Sequence, residues 1–252
     1  MSRHFLRRKL KFIGCEIIYR EACFLAATSP AQVDVEFLRK GLHDLETPDM
    51  VSRIQAAIDA VDTEDGYEAI LLGYARCNDG LVGVTARSVP LVLPRAHDCI
   101  SLLLGSAKRY DELFATHPGT YYYSPGWVEW GHDAVERTPA QGFGLDRTFE
   151  EYADLFGEDN ARYLMELEQS WRNNYTRAAY INTGLPAAEH WEKKAQEIAA
   201  SSHWQFEHVE GSLSLLRALL TGPWPETEFL TVPPRHQIFA SYDGQIVVTK
   251  PR

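Results

Sequence analysis

No apolar run in this sequence approaches the ~20 residues needed to cross a bilayer, so no membrane span is expected. Positive charge is not in excess. The 25 Lys and Arg stand against 35 Asp and Glu, a net charge of -10, which argues against a nucleic-acid partner. There is no Gly-x-Gly-x-x-Gly, no Walker loop and no Gly-x-Ser-x-Gly elbow. Nucleotide binding through those loops and a serine-hydrolase triad are therefore both disfavoured. There is no internal repeat and no low-complexity tract. The basic segment Met1 to Lys11 has no long apolar stretch and no small-residue cleavage site, so no secretory leader is expected and the protein reads as cytoplasmic. Cysteine is sparse. Four residues without a Cys-x-x-Cys pair favour free thiols, metal ligands or redox chemistry over structural disulfides.

What is present is ordinary for a globular chain. With 252 residues and 45% hydrophobic content it can bury a sizeable core. Strand-like runs at Lys11–Glu16, Val33–Leu38, Tyr67–Leu72 and Val89–Leu93 alternate with helical patterns at Ile17–Ala27 and from Thr47 to about Val61. Thr47 caps the second of these and Pro48 opens it. A second alternation runs from the Gly119–Trp127 strand through helices at Phe149–Phe156 and up to Trp171, started by Thr148 and Asn160. Strands follow at Ala178–Asn182, Trp204–Val209 and Glu228–Val232, with helices at Ala187–Ala200 and Leu213–Leu220 between them. The tail, Gln237–Val248, reads as a hairpin turning at Asp243-Gly244. Val128–Asp146 reads as irregular loop. The expected fold is α/β: mostly parallel sheets with flanking helices, as two Rossmann-like lobes (1–115 and 116–252) around a cleft. One continuous sheet fits the same pattern.

The chain is organised around Val92-Leu93-Pro94-Arg95-Ala96-His97-Asp98-Cys99-Ile100. A strand ends at Pro94, exposes reactive side chains, and turns into a helix. Open α/β folds build their sites at such carboxyl ends. Cys15 and Cys77 occupy equivalent positions, so the three tips are expected to meet. Thiolates and an imidazole converging from separate segments suit a soft metal. Zinc with an open position and a four-iron cluster on three cysteines are both open readings. His97 is the fourth candidate ligand, because residues two apart in extended chain share a side. Cys15 opens a helix, whose dipole favours a thiolate.

Other candidates surround these. His97 and Asp98 are the acid–base candidates, with Asp98 orienting His97 or Arg95. Arg20, Tyr74, Arg95 and Tyr122 are candidates for substrate contact. Gly73 and Gly80 bracket the Cys77 loop and would let backbone amides approach a ligand. Tyr121–Tyr123, Trp127 and Trp130 make either an aromatic wall or core. Asn182, Glu210 and Arg235 lie at strand ends of the second half. Cys23 falls inside a helix and reads as a small buried hydrophobe.

Cys15-Glu16, Gly73-Tyr74-x-x-Cys77, Pro94-Arg95-Ala96-His97-Asp98-Cys99 and Gly119-Thr120-Tyr121-Tyr122 together resemble the bacterial and archaeal family known as domain of unknown function 1638, over about residues 10–220. The resemblance implies an association with corrinoid-dependent methyl transfer, and so a corrinoid or methyltransferase protein as partner. The His-x-Cys pair with a distant Cys is also similar to the zinc site of thiol-activating methyltransferases, where the last Cys lies downstream rather than upstream. The expected function is thus a zinc or iron–sulfur enzyme acting on a small polar molecule, in methyl-group or one-carbon chemistry. A non-catalytic cofactor-binding accessory protein and a thiol-redox protein with a Cys15–Cys77 bridge are the alternatives.

Overall fold

The computed structural model describes residues 8–40, 42, 47–77, 79–130, 149–170, 174–186, 188–242 and 244–252. Strand β1 (Lys9–Cys15) passes through a short 3-10 turn into helix α1 (Tyr19–Thr28), then β2 (Gln32–Leu38), α2 (Thr47–Asp59) and β3 (Ala69–Gly73). Next come β4 (Leu91–Pro94), α3 (Ile100–Leu104), α4 (Ala107–Thr116), β5 (Thr120–Tyr123) and α5 (Pro125–Glu129). The second half holds α6 (Phe149–Phe156), α7 (Glu158–Ser170), β6 (Arg177–Asn182), α8 (Ala188–Ser201) and β7 (Gln205–Glu210). It closes with α9 (Ser214–Thr221), β8 (Phe229–Val232), β9 (His236–Ala240) and β10 (Val247–Pro251).

The fold is mixed α/β with three sheets among the described residues, two of them mostly or wholly parallel. The larger has the order β2-β1-β3-β4-β8, parallel except for β8, which runs antiparallel to β4. The smaller, β5-β6-β7, is wholly parallel. β9 and β10 pair as an antiparallel hairpin. The apolar runs Ala69–Gly73 and Leu91–Pro94 are buried at every residue, as strands covered on both faces must be.

One core joins the two sheets. Ala179, Ile181 and Val209 of the smaller sheet belong to the same buried cluster as Phe12, Leu71 and Leu93 of the larger. Successive strand residues point to opposite faces. Ala178 and Tyr180 therefore face a second, smaller cluster with Tyr123, Val128, Ala195 and Ala199. A backbone contact ties the junction: at Gly126 an added Cβ would overlap the Ile17 carbonyl.

Several expectations need correction. Helices α4 and α5 were not foreseen; α5 occupies the start of the stretch read as irregular loop, capped by Ser124 with Pro125 at its first position. β8, from the second half of the chain, pairs with β4 in the larger sheet. Its antiparallel direction was equally invisible, since a four-residue run carries no direction. Asn160 lies inside α7, where its side chain donates to Phe156 O at 2.8 Å instead of capping the helix. Thr148, Asp243 and most of Val128–Asp146 lie outside the described residues.

Candidate metal and thiol site

In the order β2-β1-β3-β4 the chain reverses its direction of travel between β1 and β3, and open α/β folds bind their ligands in a crevice beyond the carboxyl ends of the strands at such a point. Cys15 is the last residue of β1 and Tyr74 follows β3. The loop after β3 is laced to the loop after β4: Arg76 N–H donates to Ala96 O at 2.9 Å and Cys77 N–H to His97 O at 3.1 Å. This lacing brings Cys77 Sγ to 3.1 Å from Cys99 Sγ. Cys77 holds φ at +30°, a left-handed conformation uncommon for a side-chain-bearing residue.

The three thiols share one electrostatic environment. Burial pushes the Cys15 thiol well above its ordinary range, and Cys99 adds to the rise. Cys77 is raised by its hydrogen bond with Cys99, by burial, and by the charges of Cys99, Asp98 and Cys15. The Tyr74 phenol is likewise raised by burial and then by Cys15, Cys99 and Cys77. Its hydroxyl is buried and has no hydrogen-bond partner among the described residues. The Ser101 hydroxyl, two residues past Cys99, is in the same condition. Unsatisfied buried donors cost about 1–3 kcal/mol each and point to a missing partner.

Cys77 and Cys99 are thus in contact, and Cys15 and Tyr74 lie close enough to feel their charge. Tyr122 lies 6.0 Å from the Tyr110 ring, and the charge of Asp98 helps raise both phenols. Tyr121 and Tyr123, on the opposite face of β5, pack into the second core with Trp127. The aromatic run is therefore divided between core and rim, as strand alternation requires.

Other readings are corrected. The helix-dipole argument for a Cys15 thiolate fails: an Ile17 N–H does donate to the sulfur, but burial outweighs it. His97 is exposed, and its carbonyl, not its ring, is what the Cys77 loop uses. The chain bends at 97–98, so the same-side argument for His97 and Cys99 has no extended segment to rest on. Asp98 Oδ1 accepts the Ile100 N–H at 2.8 Å, turning the chain into α3. Arg95 gives Nε to Glu226 O at 2.8 Å, and Nη1 to the carbonyls of Gln245 and Val247. It clamps the C-terminal segments rather than reaching a ligand. Arg20 forms a two-pronged pair with Glu129 at 2.6 Å on both arms. Gly73 and Gly80 are packing glycines: a Cβ would overlap Phe12 at the first and Met50 at the second.

Lys40 was missed. It is buried, its ammonium lies 4.0 Å from the Trp127 ring centre, and its charge acts to lower the Cys15 pKa. It sits two residues past β2, so the rule that singled out the cysteines at strand ends would have found it. Glu21 was also passed over. It is fully buried, accepts the Thr183 hydroxyl at 3.0 Å, and is raised to about 6 by burial.

The donor set is chemically suited to a soft cation, since sulfur dominates and the nearby carboxylates have other work. Glu16 Oε2 accepts Lys40 N–H at 3.1 Å. Among the described residues, no three His, Cys, Asp or Glu side chains already stand as a closed metal-holding group. Two thiols touch, and Cys15 would have to close on them.

Residues 37–220 match the model of a family described as Protein of unknown function (DUF1638). The matched stretch holds Cys77 and Cys99 and begins after Cys15. No curated protein and no solved structure matches the chain.

Proposed function

The chain belongs to the DUF1638 family, and on that premise we propose that it is a zinc- or iron–sulfur-dependent enzyme acting on a small polar molecule. Cys15, Cys77 and Cys99 would hold the metal, with the crevice between two facing, Rossmann-like lobes receiving the substrate. The observation that carries this is the convergence of three strand-end thiols around a buried hydroxyl without a partner. Two raised thiols, Cys15 and Cys77, with the Cys99 sulfur against Cys77, call for added positive charge. A bound soft cation supplies it, together with Lewis acidity and activated sulfur.

The protein's own groups complete the site. The Tyr74 hydroxyl donates to a thiolate or to a polar substrate atom. Lys40 adds charge behind Cys15, and Tyr110 and Tyr122 wall the rim. The family resemblance favours methyl or one-carbon transfer as the reaction, with a corrinoid or methyltransferase protein as partner.

The test is elemental analysis and absorbance on anaerobically purified protein. Wild type should carry about one zinc per chain, or the broad visible absorption and several irons of a cluster. Cys99→Ala should lose the metal and keep its circular dichroism. A metal-free wild type, or a Cys99→Ala protein with full metal content, overturns the assignment.

The 3.1 Å separation of Cys77 and Cys99 favours one second reading, a thiol-redox couple between these two. The pair would pass two electrons and two protons to an external disulfide, reducing it to two thiols, and close its own S–S bond. This replaces the Cys15–Cys77 bridge expected from sequence. Cys15→Ala separates the readings: it lowers metal content under the first and leaves the couple intact under the second.

A further inference from the structure

The opposite end of β4 carries a different feature. The segment Thr85–Ser88, which precedes β4, lies against the turn at Pro234-Arg235 and against Arg252. Main-chain bonds fix this arrangement. Arg235 N–H donates to Ala86 O at 3.0 Å and Arg87 O at 3.3 Å, and Arg252 N–H donates to Arg235 O at 3.1 Å. Three guanidinium-bearing residues, Arg87, Arg235 and Arg252, thereby line one shallow, open hollow of about 630 Å³.

No Asp or Glu lines that cavity. Asp59, the nearest partner, is committed: it takes Nε and Nη2 of Arg87 at 2.6 and 2.9 Å and a Gln55 amide at 2.8 Å. The side chains of Arg235 and Arg252 make no ion pair and no hydrogen bond among the described residues. Arg235 also keeps φ at +64°, a conformation that glycine would adopt more readily. On a chain of net charge -10, Arg235 and Arg252 stand around this hollow beside Arg87, positive charge that an anion would complement.

We infer that this cavity binds the phosphate group of a small phosphorylated ligand, at a site separate from the thiols. A tetrahedral dianion can accept from two or three guanidinium forks at once, which is the recognition for which arginine is suited. Ser88 and Thr85 on the lining add hydroxyl donors.

The experiment is isothermal titration of the full chain with pyrophosphate as the probe, at low salt. Wild type should bind, and the double variant Arg235→Gly with Arg252→Ala should bind at least ~10-fold more weakly, one lost charge-assisted contact being worth about that much. Glycine suits the left-handed turn, so the fold is kept. Arg252→Ala alone, near the end of the chain, serves if the double variant misfolds, and should weaken binding measurably. Cys99→Ala should bind pyrophosphate like wild type, which separates this site from the thiol centre. Equal binding by wild type and the arginine variants, no binding by wild type, or citrate binding as tightly as pyrophosphate each overturns the inference.

Discussion

The two ends of β4 differ in almost every physical respect, although only four residues separate them. At the carboxyl end the strand leads to Cys99, half-buried against Cys77, where burial and neighbouring charge raise the Cys15 and Cys77 thiols. At the amino end the approach to the strand carries exposed arginines that remain charged. Low dielectric makes charge expensive at one end, and water makes it cheap at the other. The lesson is that burial, more than residue type, sets what each end can do. Under the proposed function the thiol cluster would keep a cation that travels with it, whereas the solvated arginines would await their anion.

The dry end is the easier to break. Phe12 fills the space beside Gly14 and Gly73, directly beneath the crevice. Phe12→Ala should lower unfolding free energy by about 4 kcal/mol, through lost burial and a residual cavity. Denaturant titration at pH 7 measures it; a loss below ~1 kcal/mol would mean that the glycine pair closes over the gap.

A pH profile sharpens the contrast. Glu21 is buried beside the dry end, and its pKa is raised from 4.5 to about 6. A carboxyl raised on folding contributes stability that is fully present below its unfolded value and lost as pH rises through the folded one. Wild type should therefore lose up to about 2 kcal/mol between pH 4.5 and pH 6. Glu21→Gln should remove that loss and be the more stable protein at pH 8. Thermal melts across the range check it, and a variant that keeps the wild-type slope would show that another group titrates there.

The wet end should respond least. The Arg87–Asp59 pair is exposed on both sides, with side chains 44% and 43% accessible. Asp59→Asn should cost no more than ~1 kcal/mol. It should also tighten pyrophosphate binding, because a competing carboxylate is gone. Weaker binding would show that Asp59 is needed to position the Arg87 fork.

Much of this molecule was legible in the chain. Strand–helix alternation announced an α/β fold because side-chain periodicity is a local property. The strand-end rule put Cys77 and Cys99 within reach of each other, since parallel connections return successive strands with their carboxyl ends on one edge. Other site readings failed for a common reason. Arg20, Arg95 and Asp98 are polar residues near the expected site, and each is consumed by a structural partner far away in sequence or by local turn geometry. Gly73 and Gly80 looked like ligand approaches and proved to be space for Phe12 and Met50.

The sequence by itself determined most of the strand–helix alternation, the absence of apolar runs long enough to span a membrane, and the strand tips near which the thiols lie. These follow from composition and short-range periodicity. Tertiary structure alone decided the return of β8 to the larger sheet, the single core shared by both sheets, the approach of Cys77 to Cys99, and the burial of Lys40 beside Trp127. Each depends on which distant segments exclude water from one another, and that is written in packing rather than in any local run of residues.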